Sequence, residues 1–189
     1  MKRKEQVHHE AKLLFKEKGY VGSSMRDLAQ NIGIEASSLY NHVKSKEMLL
    51  QNICFDLADQ FLKSIQEVNA QKYAKASDWI RHAMLNHLKV IVNNLEASSV
   101  FLNEWRFLTG DAMEKYLEFR KTYGGMYRTA IKNGRDKGEF RKDLNPNLAA
   151  INILSTMNWT SNWYQENGKD NIEDISKQFF DLILKGIKS

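Results

Sequence analysis

The amino-acid sequence predicts an all-α protein. Its 189 residues hold a single proline, Pro146, so few points force a helix to stop. Apolar residues recur three and four apart in segment after segment, the period of a helix with one buried face. The chain is 42% hydrophobic and 27% charged, the balance of a folded globular protein rather than a disordered one.

The elements follow in order. Val7, Ala11, Leu14 and Phe15 recur at i, i+4, i+7 and i+8, with Lys12, Lys16, Glu17 and Lys18 outside, and Gly19 ends this first helix. Lys2, Arg3 and Lys4 ahead of it read as a frayed, solvated end rather than a reaching arm. Ser24 caps a short second helix with Asp27 as a partial box partner, and Leu28, Ala29 and Ile32 form its buried side. Gly33 supplies a turn, and a third short helix spans roughly residues 36–42. Ser45 starts a long helix that has Glu47 in its first turn and carries Leu49, Ile53, Leu57, Phe61 and Ile65 on one stripe. The polar KAS after Tyr73 reads as a linker. Further helices are expected over roughly 78–94, 98–108 and 111–137, then from Asn145-Pro146 to about 166, and over about 172–188.

Several classes of function are excluded by composition. Cys54 is the only cysteine, which rules out an intrachain disulfide or a cysteine zinc site and suits a reducing cytoplasm. No apolar run approaches the roughly 20 residues of a membrane span, and MKRKEQVHHE lacks the apolar core of a signal peptide, so a cytoplasmic protein is expected. His8 and His9 are adjacent and His82 and His87 are five apart, so neither pair shares a helix face as metal ligands would, and no metal or other cofactor is expected. With no glycine-rich phosphate loop and no nucleophile–base pair, an enzyme is not expected. The net charge of +5 suits a polyanionic partner.

The strongest signal lies in GYVGSSMRDLAQNIGIEASSLYNHVKSKEMLL, where two short helices flank a glycine-containing turn, a helix-turn-helix arrangement. Leu28, Ala29, Ile32, Ile34 and Leu39 bury between the helices. That leaves Ser37, Ser38, Tyr40, Asn41 and His42 to face a major groove and its phosphates. Ser24 and Arg26, at a helix start that attracts anions, and Lys46, at the start of the long helix, are candidate phosphate contacts. Residues 1–50 hold nine lysines and arginines against six acids, so the basic charge is concentrated here. Ser23-Ser24, Leu28-Ala29, Gly33, Ser37-Ser38-Leu39-Tyr40-Asn41-His42-Val43 and Lys44-Ser45-Lys46-Glu47 together resemble the TetR family of transcriptional regulators. Val43 stands where the family usually has an aromatic, and the two serines stand in place of threonines. The resemblance implies a DNA-binding domain over residues 1–47, an effector-binding and dimerisation domain over 48–189, a homodimer on palindromic double-stranded DNA, and release by a small molecule.

Beyond residue 48 the apolar faces of the last two helices suit an intersubunit four-helix bundle, as the resemblance implies, with Trp163, Ile175, Phe179, Leu182 and Ile183 as interface candidates. Tyr116, Arg120, Tyr123, Tyr127 and Ile131 recur at helical spacing, and Gly124-Gly125 is a spot that would kink the helix or admit a ligand against its backbone. Together with the NW…NWY…G ending, this half is similar to the TetR subgroup that senses acyl-coenzyme A thioesters. The implied ligand contacts are Trp105, Arg106, Leu108, Arg120, Tyr123, Met126, Tyr127 and Trp159, with Arg106, Arg120 and Arg128 toward the polyphosphate. Two alternatives stay open on sequence: a drug-sensing regulator of the same architecture, and a helical interaction module without ligand.

Overall fold

The computed structural model describes residues 3–187, so Met1, Lys2, Lys188 and Ser189 lie outside the described residues. The described residues form α-helices and one 3-10 turn, with no strand, in agreement with the all-α expectation. The helices are α1 (Arg3–Gly22), α2 (Met25–Asn31), α3 (Ala36–Leu39), α4 (Lys46–Asn69), α5 (Ala76–Val92), α6 (Leu95–Asn103), α7 (Gly110–Asp136), α8 (Pro146–Trp163) and α9 (Ile172–Ile187); the 3-10 turn is Trp105–Phe107. None of these helices is long and apolar enough to cross a membrane.

By packing, the chain forms two compact units: Met1–Ala58 with Asn94–Leu117, and Asp59–Asn93 with Glu118–Ser189. In the first, Val7, Ala11, Leu14 and Phe15 of α1 are buried together with Leu28 and Ala29 of α2, Leu39, Val43, and Leu49, Leu50 and Ile53 of α4. Helix α6 packs on α1, and the Lys16 ammonium meets the Glu96 carboxylate at 3.3 Å. Gly19 does break α1, with φ of 72°, a value that L side chains rarely adopt. The next amide, that of Tyr20, donates to the Glu104 carboxylate at 2.9 Å, so the freed donor is satisfied from the end of α6. Helices α6 and the first turns of α7 thus share a core with the N-terminal helices, a packing that local periodicity does not reveal.

In the second unit, α5 lies against both α8 and α9. Its buried positions Ile80, Ala83, Met84, His87, Leu88 and Ile91 recur at three and four. Pro146 stands in the first turn of α8, and Asn145 Oδ1 accepts from the amides of Asn147 and Leu148 at 3.0 and 3.2 Å, a complete cap. The chain turns after α7 at Gly138, with φ of 76°, and brings Phe140 back onto Gly134, where an added Cβ would overlap the Phe140 ring and come within 2.9 Å of the Ala76 Cβ. Phe140 is fully buried and has nowhere to retreat. Gly134→Ala is therefore expected to destabilise the protein by about 1–3 kcal/mol, a fall in melting temperature of roughly 2–12 °C that differential scanning calorimetry would register.

Candidate functional site

The first candidate surface is the outer side of α2 and α3. Helix α2 opens with a full capping box. Asp27 N–H donates to Ser24 Oγ at 3.1 Å, and Ser24 N–H donates to Asp27 Oδ2 at 2.8 Å. The Ser24 hydroxyl also donates to that carboxylate at 2.6 Å, and these bonds hold the Asp27 carboxyl below its ordinary pKa. Both Ser24 groups are thus engaged by Asp27, whereas Arg26 beside them is exposed. Around α3, Ser37, Tyr40, Asn41 and His42 are exposed and Ser38 is half-buried, while Leu39 and Val43 are buried. Tyr40 leaves 54% of its surface open, which no core role explains. Ile34 is only half-buried.

Lys46 has a task inside the protein that sequence reasoning missed. Its ammonium donates to the Ser23 carbonyl oxygen at 2.6 Å and sits 4.2 Å from the centre of the Tyr20 ring. The Ser23 hydroxyl in turn donates to the Tyr20 carbonyl at 2.9 Å. The three residues form a knot that fixes the connection between α1 and α2, and burial lowers the Lys46 pKa. The Thr109 hydroxyl donates to the carboxylate of Glu47, the neighbour of Lys46.

The second candidate is the aromatic interior of the second unit. Here Phe61 stacks on His87 with centroids 4.6 Å apart, and Tyr123 lies 5.7 Å from both Phe61 and Tyr127. His87 is held at both nitrogens, Nδ1 by the Tyr123 hydroxyl at 2.9 Å and Nε2 by Asn158 Oδ1 at 3.1 Å. Since Asn158 Oδ1 only accepts, Nε2 carries the proton and Nδ1 accepts from Tyr123. Burial pushes the His87 pKa down to about 4, so the ring is neutral at physiological pH, and burial raises the pKa of both tyrosines. Thr160 Oγ1 is buried with no hydrogen-bond partner among the described residues, and the Tyr127 hydroxyl is buried beside that of Tyr123. His87 was legible in principle, because it continues the stripe of Ile80, Met84 and Ile91.

The expected ligand contacts divide. Trp105, Arg106 and Leu108 belong to the first unit, where Trp105 stacks on Tyr116 at 5.2 Å, the Arg106 guanidinium covers the Trp105 ring at 4.9 Å, and Leu108 is buried. Tyr123, Met126, Tyr127, Arg120 and Trp159 belong to the second. Arg120 does not sit among the aromatics: it is exposed, and Phe119 takes the inward place, stacked on Tyr123 at 5.5 Å. Both positions lie about one turn from 116 and 123, and the apolar side chain goes inside. Trp159 is 65% exposed on α8 and lines nothing in the protomer interior. Gly124-Gly125 causes no kink; α7 runs on, and the Arg128 guanidinium folds back past both glycines to donate to the Lys121 carbonyl at 3.0 Å.

The interface candidates divide too. Ile175 is buried within its own protomer, since α9 presents that position toward the unit's core. Leu182 and Trp163 are exposed, Phe179 and Ile183 half-buried, and the Trp163 and Phe179 rings meet at 6.4 Å. Leu148 and Ile151, both exposed, join Trp159 and Trp163 on one face of α8, an apolar surface that sequence reasoning did not assemble.

Comparison with known proteins decides the family. The profile described as "Tetracyclin repressor-like, C-terminal domain" matches residues 73–187, and that described as "Bacterial regulatory proteins, tetR family" matches residues 9–53. The chain belongs to the TetR family of DNA-binding transcriptional regulators. Over 185 residues it is 26% identical to the HTH-type transcriptional repressor KstR2 of Rhodococcus jostii (strain RHA1), covering 95% of this chain and 88% of that one. In fold it is similar to the ketosteroid transcriptional regulator KstR2 of Mycobacterium tuberculosis, with a TM-score of 0.91 at 21% identity, covering 99% of this chain and 95% of the other. It is also similar in fold to AibR in complex with isovaleryl coenzyme A and operator DNA, with a TM-score of 0.81 at 22% identity, covering 99% and 98%.

The buried histidine of this TetR-family chain makes its stability depend on pH. The folded pKa is about 4 against 6.5 unfolded, so from pH 6.5 down to 4 the unfolded chain binds a proton that the native state refuses, and stability falls with pH. Between pH 7 and pH 5 this one group is worth about 2 kcal/mol. Urea denaturation across that range is expected to show a loss in the parent protein that His87→Gln reduces by roughly this amount. An unchanged slope would place the neutral ring elsewhere.

Proposed function

We propose that this TetR-family chain is a cytoplasmic homodimeric repressor that grips a palindromic operator through α2 and α3 and releases it when an acyl-coenzyme A thioester binds the second unit. The observation that carries the DNA reading is the one-sided exposure around α3. Leu39 and Val43 anchor the segment, and Ser37, Tyr40, Asn41 and His42 project from it. Exposed Arg26 supplies the phosphate contact at the start of α2, because Ser24 is engaged by Asp27. Two such surfaces are needed to read a palindrome, and the apolar face formed by Leu148, Trp159, Trp163, Phe179, Leu182 and Ile183 is the one we assign to the two-fold contact. Tyr40→Ala is expected to weaken operator binding by about 1–3 kcal/mol in fluorescence anisotropy with the melting temperature unchanged. Lys46→Ala is expected to lower both, because it unties the knot of Tyr20 and Ser23. Full operator affinity in Tyr40→Ala would move the reading surface away from α3.

The effector reading draws on the aromatic, uncharged interior around His87, Tyr123 and Tyr127, and on the similarity in fold to AibR, which is described with isovaleryl coenzyme A. A ligand can shift the DNA-binding equilibrium only by its unequal affinity for the two states. At a hundredfold excess over Kd a thioester is expected to raise stability by about 2.7 kcal/mol and to free the operator. A thermal-shift and DNA-release panel of short, long and aromatic acyl-coenzyme A thioesters beside their free acids tests this. Response to a free acid, a flavonoid or a cationic drug, and to no thioester, would overturn the effector class.

A further inference from the structure

A groove of about 580 Å³ opens in the second unit along α7, between the end of α4, the loop that follows it and the start of α5. Its size lies in the range of roughly 300–1,000 Å³ usual for small-molecule sites. Asn69, Lys75, Trp79, Gly125, Met126 and Lys137 are on its wall.

Four features set it apart from a chance crevice. Its floor is built: Trp79 Nε1–H donates to Asn69 Oδ1 at 2.9 Å, and the Asn69 amide reaches Met126 Sδ at 3.9 Å, joining α5, α4 and α7. Its charge has one sign, with Lys75 and Lys137 and no Asp or Glu among the described lining residues. Glu139 stands outside the wall, with its carboxylate on the amides of Ala76 and Ser77 at 2.8 and 2.9 Å, and of the two lysines it is Lys75 whose charge it feels, which leaves Lys137 as the stronger anion contact. Gly125 adds no side chain of its own to the wall. A Cβ there would meet only the tip of the Arg128 side chain at 3.4 Å, so packing does not demand a glycine, although one inside a helix is unfavourable. Finally, Trp79 packs edge-on against Tyr127 with centroids 5.3 Å apart, which joins the groove wall to the buried pair of Tyr123 and Tyr127.

We infer that this groove is the effector site, and that it takes an amphipathic organic anion. Lys75 and Lys137 hold the phosphate or carboxylate. The apolar body lies along Trp79, Met126 and the backbone at Gly125, with its inner end toward Tyr127. The inference rests on the reading of the chain as effector-responsive. It moves the anion contacts to the two lysines, because neither Arg120 nor Arg128 lines this wall.

The experiment uses the full chain with octanoyl-coenzyme A, coenzyme A and octanoate as probes, read by tryptophan fluorescence and melting temperature. Gly125→Leu fills the groove, and Lys75→Glu with Lys137→Glu reverses its rim. Each variant is expected to bind DNA like the parent and to melt no lower than it, while the Kd for a probe that binds the parent rises at least tenfold. Trp79→Phe is expected to remove most of the fluorescence change. If the lysine pair weakens octanoyl-coenzyme A and coenzyme A together, the anion is the phosphate; if it weakens octanoate, the anion is the carboxylate. Either supports the site. Unchanged Kd in both Gly125→Leu and the lysine double variant would overturn the groove while leaving an effector bound elsewhere. Failure of every probe and of the wider thioester and acid panel to bind the parent would instead overturn the effector reading itself.

Discussion

Helices α2 and α3 are seven and four residues long, too short to persist in water by themselves. Their shape is imposed by what they bury. Leu28, Ala29, Leu39 and Val43 join Val7, Ala11, Leu14 and Phe15 in one core, and each fully buried aliphatic of this kind contributes about 1.5–3 kcal/mol. A polar knot then fixes the entry to α2, with Lys46 between the Tyr20 ring and the Ser23 carbonyl and with Glu104 holding the Tyr20 amide. The anchoring is one-sided, which is why Ser37, Tyr40, Asn41 and His42 remain outside. The surface we propose for DNA is the complement of that core.

The interior of the second unit follows a different rule. Polar groups are admitted there, but uncharged and mostly paired: His87 is clasped between Tyr123 and Asn158 and stays neutral. Thr160 keeps a hydroxyl that no described residue satisfies, and such an orphan is a place where a ligand gains by supplying a partner. Helix α9 serves two faces at once. Ile172, Ile175 and Phe180 point into the protomer, whereas Leu182 faces outward with Phe179 and Ile183 partly covered. The outward apolar face is the one assigned to the proposed two-fold contact.

Much of this was legible from the residues alone. The stripes of α1 and α4 and the core of the helix-turn-helix are local patterns with strong periodicity, and the structure buries each as read, from Val7 to Ile65, with Ile34 alone half-covered. What escaped was long-range or a matter of phase. A stripe with a period near 3.6 does not separate position 119 from 120, and chemistry decided for Phe119. Periodicity marks Ile175 and Leu182 as apolar without saying that one faces the protomer core and the other its outside. The knot at Lys46 links residues 23 apart, and the groove gathers Lys75 and Lys137 from opposite ends of more than 60 residues. No local pattern announces either.

The proposed pairing of two α3 surfaces across a two-fold axis on DNA is the point on which the proposed function turns. Footprinting of the purified protein on genomic fragments measures that pairing on whichever operator the genome holds. The result predicted is protection of inverted half-sites whose centres lie about 34–36 Å apart, or a multiple of that spacing. Protection of isolated half-sites with equal affinity, or binding indifferent to sequence, would contradict it.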